Sequence, residues 1–291
     1  MKPAISQVCS LNSPWDKDVE EYAAAACHAT EIWLGKLETY LETHTIEDML
    51  RVLDEHQMAT PVASYQGGLL MSQGAARQEH WDHFGRRLEL CRRLGIVTLV
   101  VVADLFGALS QQDLDRVYMS LAQATQQAAD SGLRLALEFQ SRASLGNNLE
   151  TCIAIINHVG NPNLGVCLDV FHYYLGPSKL EDLAYLSPEN LFHVHLSDLS
   201  DRPRELATDS DRILPGDGDF HLQPILSRLA EMGYDGHISL ELMNPVLWQV
   251  PARQLADVGM TALRKLLGQA EAGGQGSGIR GQGSVLNEPR G

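Results

Sequence analysis

From Ala4 onward, short runs of apolar and β-branched residues alternate with longer segments in which apolar positions recur every three or four residues. That alternation is the mark of repeated βα units around a parallel sheet. Eight runs fit strands, at residues 4–9, 31–34, 59–64, 97–103, 133–138, 164–169, 191–196 and 237–241, and a helical pattern follows each. Within the helix predicted at 111–131, Leu114, Val117, Leu121, Ala124 and Ala128 share one stripe; at 80–94, Phe84, Leu88 and Cys91 do the same. Gly95, Gly132 and Gly233 fall where helices stop. Stretches such as VTLVVVA and LRLALEF are nearly continuous apolar runs, as expected of strands packed against a barrel interior and helices at once. The fold class predicted is α/β, a single (β/α)8 TIM barrel, because eight such units close a barrel. The competing doubly wound open sheet lacks its usual support, since no GxGxxG follows the first strand and no P-loop motif occurs.

No linker divides residues 1–270, which are expected to form one catalytic domain. Residues 271–291 hold seven of the 25 glycines and almost no apolar periodicity, so a disordered tail is expected there. At 291 residues and 44% apolar, the chain is long enough and hydrophobic enough for a large core. Its 22 Lys and Arg against 37 Asp and Glu give a net charge of −15, which repels phosphate backbones and anionic lipid heads. Nucleic acid and membrane surfaces are therefore set aside as partners. No apolar run approaches the ~20 residues that span a bilayer, and the opening MKPAISQVCSLNSPW lacks an export signal, so a cytoplasmic protein is expected. The five cysteines are odd in number and without CxxC spacing, which fits reduced core thiols; Cys9 alone stands where a pocket could reach it.

In a βα barrel the active site lies at the C-terminal ends of the strands, so polar residues that terminate apolar runs are the first candidates. Four consecutive strands end in one: LALEF with Glu138, GVCLDVFH with Asp169, FHVHLSD with His195 and ISLELMN with Glu241. Each alone reads equally as a helix N-cap or a solvated strand-end charge. Together, three carboxylates in one pocket repel one another strongly and are tolerable mainly when a cation neutralises them. Oxygen-rich ligation with one nitrogen favours a single catalytic Mn²⁺ or Mg²⁺, with Co²⁺ or Zn²⁺ as alternatives. His193 alternates with His195 and points the same way, but reads better as a satisfied interior residue. Glu31, Trp33, Lys36, Trp15 and Gln66 are candidate pocket residues. Asp219 is expected to cap the helix that follows it, with His221 on that helix's surface.

The segments LALEF, CLDVFH, HVHLSD, LPGDGDF and YDGHISLEL resemble the sugar phosphate isomerase/epimerase family, whose fold is the xylose-isomerase-like TIM barrel. The resemblance covers most of residues 1–268 and is strongest from Leu133 to Asn244. It implies that Glu138, Asp169, His195 and Glu241 hold the metal, and that Glu138 and Glu241 also move the proton. The DxFH part of the sixth-strand motif is similar to ketose 3-epimerases, which assigns substrate contact to His172. This chain departs from the family's HxGExxR stretch, reading HLSDLSD from His195 to Asp201. The arginine expected there is missing, and Arg202, Arg204 or Arg212 is left to take its place.

A divalent cation chelated by adjacent carbonyl and hydroxyl oxygens acidifies the neighbouring C–H. Returning the proton to the opposite face gives epimerisation, and returning it to the next carbon gives isomerisation. The function expected is therefore a metal-dependent isomerase or epimerase of a small carbohydrate. A lyase or dehydratase acting on a keto-glycoside, keto-inositol or dehydroshikimate-like molecule is the alternative, because the same carbanion expels a β leaving group. A non-catalytic sugar-binding subunit is the third reading. A nuclease of the same barrel is disfavoured by the −15 charge and by the absence of the additional histidines that trinuclear zinc sites need. The resemblance also implies a homo-oligomer.

Overall fold

The computed structural model describes residues 1–268. The tail expected at 271–291 lies outside the described residues.

Eight strands close a parallel barrel in chain order: β1 (Lys2–Ser6), β2 (Ala29–Trp33), β3 (Ala59–Gln66), β4 (Thr98–Val102), β5 (Arg134–Glu138), β6 (Leu164–Asp169), β7 (Leu191–Leu196) and β8 (His237–Leu240). The helices are α1 (Trp15–Ala24), α2 (Leu34–Tyr40), α3 (Ile46–Glu55), α4 (Gly74–Arg93), α5 (Gln111–Asp130), α6 (Leu149–Val159), α7 (Val170–Leu175), α8 (Leu222–Glu231) and α9 (Ala252–Leu266). Among the described residues, no helix is long and apolar enough to cross a membrane.

Local chemistry sets several of these boundaries. Ser110 and Asp113 form a reciprocal capping box at the start of α5, and Thr45 with Asp48 does so for α3. Gly160 closes α6 in the left-handed conformation at φ 66°, which a side-chain-bearing residue rarely adopts. The first strand ends at Ser6 rather than Cys9, because Gln7–Ser10 winds into a 3-10 turn that carries the chain over the barrel rim. The second begins at Ala29, since Thr30 pairs with Ile5. Asp219 does not cap α8. Asp198 takes over the organisation of that loop, accepting from the backbone N–H groups of Leu199, Gly216 and Phe220 at 2.9–3.0 Å.

Strand alternation divides the core. Leu135, Leu137, Val166, Leu168, Val194 and Leu196 face outward and pack with Val117, Leu121, Ile153, Ile156, Ile225 and Leu229 of the helices. Ala136 and Cys167 lie two residues below Glu138 and Asp169 on the inward face, clustered with Val62, Val100 and Phe192. The side chains that end β5 and β6 therefore emerge inside the barrel, above an apolar floor.

A buried polar knot ties the β1 and β2 loops together. Lys36 donates to the Asp18 carboxylate and to Ser10 O, and Asp18 also accepts from Ser10 Oγ at 2.8 Å. Lys36 is thus a structural cation that does not line the cavity. Burial pushes the Asp18 carboxyl up to about 6 from an ordinary 3.8, against the pull of Lys36. Because the folded value lies above the unfolded one, this group's contribution to stability is complete below about pH 4 and lost as pH rises through about 6. Asp18→Asn removes that slope from the pH dependence of urea unfolding.

Candidate metal centre

The register of β5 to β8 delivers four polar side chains to one level. Glu138 pairs with Cys167, Asp169 with His195, and His195 with Ser239, while Glu241 N donates to Leu196 O just beyond β8. All four are buried, and one donor atom from each of Glu138, Asp169, His195 and Glu241 lies within 4.8 Å of the others. His195 Nδ1 is the hub, 2.7 Å from Glu138 Oε1, 3.3 Å from Glu241 Oε2 and 3.8 Å from Asp169 Oδ2.

Each carboxylate is aimed by a second contact. Gln140 Nε2 donates to Glu138 Oε2 at 2.8 Å. Asp169 combines both roles considered for a strand-end acid: Oδ1 accepts from His172 N at 2.9 Å and caps α7, leaving Oδ2 for the cluster. Arg212, 1% exposed, spans the site. Its Nη1 donates to Asp169 Oδ2 at 2.8 Å and Glu241 Oε2 at 2.9 Å, and its Nη2 to Asp209 Oδ1 at 2.7 Å, with the guanidinium 4.5 Å over the Phe171 ring.

The electrostatics follow from this crowding. Burial opposes ionisation of Asp169, but Arg212, His172 and His195 together outweigh it and hold the carboxyl well below the usual range. At Glu241 burial wins, aided by the charges of Glu138 and Asp169, and its carboxyl is pushed well above the usual range. Burial works against a charge on His195, yet the surrounding anionic groups raise it well above an ordinary histidine. Three oxygen donors and one imidazole nitrogen, held together with an excess of acid, fit a divalent cation of the Mn²⁺, Mg²⁺, Co²⁺ or Zn²⁺ type. Cys167 Sγ is 3.6 Å from His195 Nδ1, but burial pushes its thiol far up, which suits a packing role.

The cluster opens into a cavity of about 800 Å³ at the C-terminal mouth of the barrel. One wall is polar, with Glu138, Gln140, His172, His195, Asp209, Arg212 and Glu241. The other, from β2 to β4, carries Trp33, Tyr65, Gln66, Arg87, Asp104 and Phe106. Arg87 is fixed there by a two-pronged pair with Glu38 at 2.7 and 2.8 Å.

His172 and Gln66 line this cavity. Trp15 does not: it is 1% exposed, packed 5.1 Å from the Tyr40 ring beneath the β1 loop. Arg202 is also outside, pairing with Asp211 at 3.0 Å on the surface, and Arg204 stands over Tyr174. Of the three arginines left open by the sequence, Arg212 occupies the site. Glu31 is not in the cavity wall but fully buried beneath His193 and His195. Cys9 is likewise buried, between Leu240 O and Leu242 N.

Fold and site together define a (β/α)8 barrel with a carboxylate-rich centre, able to hold a divalent cation, at its C-terminal mouth. Residues 19–266 match the Xylose isomerase-like TIM barrel family, and the chain belongs to it. An inosose isomerase of Halalkalibacterium halodurans is 28% identical over 259 residues, covering 87% of this chain and 92% of that protein. A 3-dehydroshikimate dehydratase of Pseudomonas aeruginosa is 30% identical over 90% of this chain but only 41% of its own length. Among solved structures, the IOLI protein with a binding zinc atom superposes with a TM-score of 0.85 at 25% identity, covering 92% of this chain and 98% of that one.

Removing the Arg212 charge leaves the acids uncompensated. Arg212→Gln is expected to lower the melting temperature of the metal-free protein, by the equivalent of about 3–5 kcal/mol. Saturating Mn²⁺ then raises it by more in the variant than in the wild type, as differential scanning fluorimetry would record.

Proposed function

We propose that this protein is a divalent-metal-dependent isomerase or epimerase of a cyclic α-hydroxyketone, an inosose-like keto-polyol. The observation that carries this reading is the convergence of Glu138, Asp169, His195 and Glu241 within 4.8 Å at the floor of an open cavity. The similarity to inosose isomerase over nearly the full length of both chains supports the substrate class.

Glu138, Asp169, His195 and Glu241 would hold the cation, which when bound supplies Lewis acidity that makes the C–H beside a carbonyl removable. The residues then divide the work. Glu138, steadied by Gln140, takes the proton from carbon on one side of the ring, and Glu241 returns one from the other side. Arg212, held by Asp169, Asp209 and Glu241, directs its remaining donor capacity and charge toward the substrate oxygens. His172, whose Nδ1 lies 3.2 Å from Ser141 Oγ, orients a hydroxyl. Trp33, Tyr65 and Phe106 offer apolar faces for the C–H surface of the ring.

The second reading is a lyase or dehydratase using the same proton abstraction, and the 30% identity to 3-dehydroshikimate dehydratase over most of this chain favours it. The two are separated by product. With Mn²⁺ in D₂O, an inosose should acquire deuterium beside its carbonyl and yield an isomer without losing water, as NMR reports. Glu138→Gln and Glu241→Gln should each lower the exchange rate by about 10²–10⁴-fold. Water loss from 3-dehydroshikimate, with inososes unchanged, would favour the lyase; no exchange into either, by metal-loaded protein, would defeat both.

A further inference from the structure

Below the acids that face the cavity sits another that does not. Glu31 is the inward residue of β2, 0% exposed, and both its oxygens are spent on histidines of β7 across the barrel. Its Oε1 and Oε2 lie 3.0 and 3.1 Å from His195 Nε2, and Oε2 is also 3.0 Å from His193 Nε2. No other side-chain donor reaches it among the described residues.

We infer that Glu31 is the positioning residue of the metal centre: it holds a proton on Nε2 of His195, so that the nitrogen left to coordinate a cation is the Nδ1 facing Glu138, Asp169 and Glu241. A carboxylate only accepts hydrogen bonds, and one removed from water needs donors on both oxygens. Each ring facing Glu31 therefore presents an Nε2–H. For His193 this leaves Nδ1 buried and unpartnered, a cheaper orphan as a lone pair than as an N–H. His193 is thus the second donor that keeps the Glu31 carboxylate still, and its ring at 5.0 Å and 85° to that of His195 completes the wedge. The ring plane of His195 is fixed from below, and its Nδ1 from above by Glu138 at 2.7 Å. A ligand held this way needs no reorientation when a cation arrives.

The inference rests on the proposal that the four residues above hold a divalent cation, and two measurements separate their failures. The first is the long-range ¹H–¹⁵N spectrum of metal-free and Zn²⁺-loaded wild type, with His195 assigned by comparison with His195→Gln. A protonated Nε2 in both states, with only Nδ1 shifting on Zn²⁺ addition, is expected. An unprotonated Nε2 in the metal-free protein, or Zn²⁺ on Nε2, overturns the inference, and the metal-free spectrum decides it even in a protein that takes up no zinc. The second is Zn²⁺ affinity by calorimetry for Glu31→Gln, which removes the negative charge and turns one of the two accepting oxygens into an NH₂ donor facing the rings. A folded variant should bind about 10–100-fold more weakly. Wild-type affinity in the folded variant would overturn the positioning role while leaving the metal centre standing. Absence of Zn²⁺ binding by the wild type would instead sink the functional proposal.

Discussion

Four carboxylates brought out of water at the heart of one barrel are the constraint on which the site is organised. Glu31, Glu138, Asp169 and Glu241 are each at most 5% exposed. Left alone they would neutralise themselves by taking up protons, as Glu241 tends to do. They are answered from below by His193 and His195 and from the side by the Arg212 guanidinium, a fixed positive charge. Acid remains in excess of cationic side chains, and a divalent cation at the hub of the cluster is the charge that the arrangement lacks.

The barrel makes this crowding affordable by fixing each group from a different element. A parallel register sets Asp169 level with His195 and lets Glu241 emerge one residue past β8. Asp169 is held at an α-helix N-terminus, Glu138 by Gln140, and Arg212 by Asp209 and the Phe171 face. Rigid elements thus hold like charges at distances that flexible loops would relax. The opposite wall, from β2 to β4, is free of that burden and carries the aromatic side chains that give the cavity its shape.

The strand-end acids were legible in the sequence because each interrupts an apolar run at a position where a barrel strand must end. Eight such runs made the fold equally plain, and the observed strands differ mainly by a few residues at their ends. Arg212 was only one of three arginines in a long irregular loop, where neither periodicity nor spacing says which one turns inward. The loop's organiser, Asp198, outcompeted Asp219 because its position just after β7 faces several unpaired backbone N–H groups. Glu31 carried a usable signal, an acid inside the apolar run ATEIW, but its partners are 162 and 164 residues away and only barrel closure unites them. Trp15 and Arg202 show the converse: a large or charged side chain near a strand end has no obligation to face the cavity.

Anomalous diffraction from crystals grown with Mn²⁺ would show whether this acid cluster is a metal centre. A single manganese peak is expected, bounded by Glu138, Asp169, Glu241 and the Nδ1 atom of His195. No peak at millimolar Mn²⁺, or manganese bound only to surface acids, would contradict that reading.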